Sequence, residues 1–125
     1  MAATPSLINA SAINGVTDAV KPSTTSETSI LSNASASGIV YRITKMTVTN
    51  IDTSNAVACT IAFHTAAALG GSTNEMCSAV QIPANSTLEI VKDGGVFYLN
   101  PDQSLGITAG SSNKLVVVYS GEKIT

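Results

Sequence analysis

A chain of 125 residues, 44% hydrophobic, is long enough to close one domain around its own core. Its formal net charge of −2 is scattered without clusters, which excludes a basic stripe for nucleic-acid phosphates. Three Tyr, two Phe and no Trp leave no stacking platform for bases, and no apolar run approaches the roughly eighteen residues that cross a bilayer.

Only 11% of residues are charged, where about a quarter is usual. Two readings of such a surface stay open. Either it ends against other protein, or hydroxyls and amides keep it soluble. The first residues carry neither a basic region nor an apolar core of an export signal, so the chain reads as made in the cytoplasm.

Residues 1–27 are rich in Ala, Ser, Thr and Asn, with apolar points at Leu7, Ile8, Ile13, Val16 and Val20. This segment reads as an extended N-terminal arm, and residues 28–125 as a β-sandwich domain. The arm either adds a strand to its own sandwich or lies across a neighbouring subunit.

The first clear strand is expected at 28–33, closed by the small-residue run at 34–38. The next run, 39–51, is apolar at Ile39, Tyr41 and Ile43 and then at Met46 and Val48. A side-chain period of two cannot change phase without a β-bulge, which is expected near Thr44-Lys45. Residues 56–65 alternate cleanly, with Val57, Cys59, Ile61 and Phe63 inward and Ala56, Ala58, Thr60, Ala62 and His64 outward. Residues 66–74 read as a loop around Gly70-Gly71. A strand at 75–82 is expected to turn Met76, Val80 and Ile82 inward and to stop at Pro83.

From Ile82 to Tyr119, turn chemistry at Asp93-Gly94-Gly95, Asn100-Pro101-Asp102 and Gly110-Ser111-Ser112-Asn113 separates short β-rich runs. The last run carries Leu115, Val117 and Tyr119 on one face and Val116 and Val118 on the other. A strand apolar on both faces is covered on both, so its second face is expected against the arm or another protomer. The total is about eight strands and no helix: an all-β antiparallel sandwich, jelly-roll or immunoglobulin-like.

The chain offers no motif for catalysis. His64 is the single histidine, which excludes a His-based metal cluster, and it reads as a surface or interface residue. No G-x-S-x-G nucleophile elbow is present. Cys59 and Cys77 lie inside apolar runs and read as buried thiols rather than a bridge. Asp52, Asp93 and Asp102 belong to turns. The expectation is no catalytic residue, no metal and no cofactor.

From Ser37 onward, VYRITKMTVTNIDTSNAVACTIAF, IPANSTLEIV, VFYLNPDQSL and LVVVYSGEKI follow in an order that resembles small all-β virion structural proteins of tailed bacteriophages. The resemblance implies a non-enzymatic virion protein assembled in the host cytoplasm. Its preferred form is a head decoration (cement) protein that trimerises and bridges capsid subunits. Its partners would be copies of itself and the major capsid protein or another virion protein, with no nucleic acid or membrane. Leu7, Ile8 and Ile13 would anchor the arm, and Val116 and Val118 would line the inter-subunit face. A tail, neck or fibre ring component is the alternative within that class. A carbohydrate-binding adhesin module is the alternative outside it, resting on Tyr41, Phe97 and Tyr98, which themselves read as core.

Overall fold

The computed structural model describes residues 10–92 and 94–125. Among them the chain forms strands β1 (Ile13–Val20), β2 (Thr28–Asn33), β3 (Val40–Asn50), β4 (Val57–Ala66), β5 (Gly70–Ile82), β6 (Thr87–Val91), β7 (Phe97–Leu99), β8 (Gln103–Ala109) and β9 (Leu115–Ile124). Two antiparallel sheets result, ordered β1-β9-β3-β6, with β7 also on β3, and β2-β8-β4-β5.

The pairs β1·β9, β2·β8, β3·β6 and β4·β5 are nested in sequence. One long antiparallel ribbon is therefore rolled up so that alternate pairs fall in opposite sheets, a jelly-roll winding of the sandwich. The segment at 13–20 is an edge strand beside β9 of its own chain.

Inward-facing residues of both sheets fill the space between them. Ile43, Met46, Val48, Leu115, Val117 and Tyr119 of the first meet Val57, Cys59, Ile61, Leu105 and Ile107 of the second. Full burial of each such aliphatic side chain contributes about 1.5–3 kcal/mol. The phase change in β3 is absorbed by a register shift between Ile43 and Lys45 against β9, as the sequence pattern requires. Gly121 lies opposite Ile43, and a Cβ there would strike the Arg42 carbonyl oxygen.

Two stretches depart from expectation. Residues 70–74 are strand, because β4 and β5 are joined by a tight turn at 67–69, with Ala68 and Leu69 taking positive φ of 56° and 59°. In β5, Met76 points outward and is 38% exposed. Register shifts on either side of Ile61 bring Cys77 opposite it and turn Cys77 rather than Met76 toward the core.

Candidate functional site

The outer face of the first sheet contains the predicted interface residues of β9. Val118 lies between Ala19 of β1 and Thr47 of β3, and Glu89 of β6 continues the row. Val116 stands opposite Thr49, whose hydroxyl is 2.9 Å from that of Thr87. Thr17, Ser120 and Lys45 form the row beyond. Val118 is 40% exposed and Val116 half-buried.

The strand at 13–20 lies beside β9, not over this face, so the described residues leave it open. Ile13 is exposed at the start of β1. Leu7 and Ile8 lie outside the described residues, as does Asp93.

A second cluster, on the outer face of the other sheet, surrounds His64. Contrary to expectation, this residue is neither at the surface nor free: its ring is buried. Nε2 lies 2.7 Å from Glu27 Oε2, and Nδ1 lies 3.4 Å from the Thr73 hydroxyl. The Glu27 side chain reaches the ring through the space left by Gly106, where a Cβ would collide with its carboxylate and with Leu69.

The β4–β5 turn folds over the same spot. Its amides donate from Ala67 to Asp102 Oδ1 at 3.1 Å, from Ala68 to Ser32 Oγ at 2.9 Å, and from Leu69 to Ser104 Oγ at 2.9 Å. The Ser104 hydroxyl in turn donates to the Ala66 carbonyl at 2.7 Å. Hydroxyl, imidazole and carboxylate stand in the order of a catalytic triad, but the Thr73 contact is long at 3.4 Å and the ring is covered. The β4–β5 turn and the Glu27 side chain lie over the ring. The geometry is that of a clamp holding the segment before β2 against β4.

Sequence reading missed this cluster because Glu27 is 37 positions from His64. Gly106, alternating with buried Leu105 and Ile107, was the one local signal of a close approach on the outer face.

At another point of the first sheet, Arg42 Nη1 and Glu122 Oε1 are 2.6 Å apart, and Tyr98 is 42% exposed beside them. Tyr98 is therefore not a core residue: in the three-residue β7 it faces away from the sandwich. Tyr41 and Phe97 are half-buried against the core, and Phe97 meets Phe63 edge-to-face at 5.8 Å.

Asp52 and Asp102 lie at opposite ends of the sandwich, beside Asn50 and Asn33 respectively. Backbone amides of Ser54 and then Asn55 hold the Asp52 carboxyl below its usual range, as a turn-capping side chain. Among the described residues no three His, Cys, Asp or Glu side chains converge as metal ligands. Cys59 and Cys77 are free thiols. No family model and no curated protein matches the chain.

Proposed function

We propose that the chain is a non-enzymatic structural protein of a bacteriophage virion, a head decoration protein that self-associates and bridges capsid subunits. The observation that carries this reading is the open outer face around Val118. Its neighbours are small or uncharged, and Lys45 and Glu89 stand at its margins. Apolar contact at the centre of a patch with polar residues around it is the usual anatomy of a protein–protein interface. The low charge of the whole chain and the ordered run of β elements from Ser37 support the same class. Each contact through such a face is modest, and attachment gains strength when several subunits of one oligomer bind together.

Co-expression with the major capsid protein of the same genome tests this. The chain should sediment with assembled shells, and Val118→Lys should fold normally yet remain in the supernatant. A native chain that stays in the supernatant overturns the proposal.

A further inference from the structure

The two sheets end in strands β1 and β6 on one side and β2 and β5 on the other, with short β7 beside β3. Natural sheets protect their edges with short strands, bulges, Pro or Lys. β6 and β7 have five and three residues. β2 shifts register between Ser29 and Leu31, and β5 shifts repeatedly and takes a positive φ at Ala79. β1 has none of these devices. Its eight residues contain no Pro or Lys, and their register with β9 is unbroken from Ile13–Ile124 to Val20–Val117.

Hydrogen bonding shows which groups of β1 face outward. Ala12 and Thr125 exchange backbone bonds of 3.0 and 3.3 Å. Alternation along an antiparallel ladder then turns residues 14, 16, 18 and 20 toward β9 and Ile13, Gly15, Thr17 and Ala19 away from it. Ala19 agrees: its N–H is taken at 2.8 Å by the side chain of Asp18 rather than by β9. The outer face of the sheet is open here as well, since a Cβ at Gly15 would meet nothing within 4 Å. Among the described residues no strand pairs with this edge, and of its outward N–H groups the one at Ala19 is held by its neighbour's side chain, a local bond that a pairing strand would displace.

We propose that β1 pairs with β1 of a second copy, antiparallel about a two-fold axis at Val16, so that one sheet continues through both chains. Residues opposed across an antiparallel pair share a face, so only positions of like parity can meet. Centring the axis on Val16 sets Asn14 against Asp18, Ile13 against Ala19 and Gly15 against Thr17. The single charge of the strand then meets an amide donor, and the 54% exposed Ile13 meets another apolar side chain. Moving the centre to Thr17 opposes Asp18 with Val16 and Ile13 with Lys21. Moving it to Gly15 opposes Asp18 with Ala12. The Val16 register alone of these three satisfies Asp18, and it creates no like-charge pair. That self-complementarity makes a second copy the occupant. The pairing is isologous and gives main-chain hydrogen bonds without new loops. It is independent of the decoration role, since a two-fold contact can join free copies or members of different trimers.

Sedimentation velocity of the full chain over a dilution series tests it. Thr17→Pro removes an outward N–H and no β1–β9 bond, so it should preserve the fold and weaken self-association at least about tenfold. Asn14→Asp should weaken it as well, by placing carboxylate against carboxylate, and Asn14→Lys should tighten it at low salt. A native chain that is monomeric throughout, or association unchanged in both Thr17→Pro and Asn14→Asp, overturns the inference. Association unchanged in both variants has no bearing on sedimentation with capsid shells, whereas a native monomer also removes the oligomer invoked for attachment to them.

Discussion

Cys59 has no exposed surface, and burial, reinforced by neighbouring Cys77, pushes its thiol from 9.0 up to about 12. The folded state therefore favours the neutral thiol. A raised acid pKa contributes stability that is complete below the unfolded value and is lost as pH climbs toward the folded one. Tyr119, whose phenol is raised mainly by burial and further by Asp18, acts with the same sign. The urea midpoint should accordingly fall between about pH 9 and pH 12, and Cys59→Ala should flatten that fall without abolishing it. At neutral pH, native Cys59 should resist iodoacetamide, because the thiolate is the reactive form. This much was legible in the alternation of Val57, Cys59 and Ile61. The burial of His64 three residues later was not, because Glu27 and the β4–β5 turn cover it from the outer face.

Among the elements, β3 was the most readable and β5 the least. The phase change between Ile43 and Met46 announced a bulge, since no regular strand can bury both. What the pattern left open was which residue on the facing strand would accommodate it. Gly121 does so, in backbone contact with Arg42 and Ile43. Gly121→Ala should cost about 3 kcal/mol or more in urea unfolding, because a main-chain neighbour cannot swing aside. Gly106→Ala should cost less, because the atoms in its way are the flexible ends of Glu27 and Leu69. β5 resisted reading because its exposed Ser, Thr, Asn and Glu residues carry no hydrophobic period. Pairing with β4, not composition, makes Gly70–Asn74 a strand.

For the molecule as a whole, two buried asparagines tie one sheet to the other. At the end of β2, Asn33 Nδ2 donates to the Ile39 and Leu99 carbonyls at 2.8 and 3.1 Å, and its Oδ1 accepts from Ser37 at 2.6 Å. At the end of β3, Asn50 Nδ2 donates to the Asn55 and Ile82 carbonyls, both at 2.9 Å, and its Oδ1 accepts from the Asp52 amide. Truncation of Asn50 strips the buried Ile82 carbonyl, together with the partly buried Asn55 carbonyl and Asp52 amide, of a partner at once. Asn50→Ala should therefore destabilise the protein by roughly 2–4 kcal/mol in chemical denaturation, with the fold retained. In sequence these residues look like ordinary turn asparagines.

The sequence by itself determined an all-β sandwich, the bulge in β3, the inward set of β9 and the doubly apolar character of that strand. These follow from the period of side chains along a strand and from turn residues, both local properties. Tertiary structure alone decided the nested winding, the pairing of β1 with β9, the Glu27–His64 clamp and the exposure of Val118 and Tyr98. Each of these joins residues far apart in the chain. Their placement depends on which strands become neighbours when the ribbon rolls, and no local pattern specifies that.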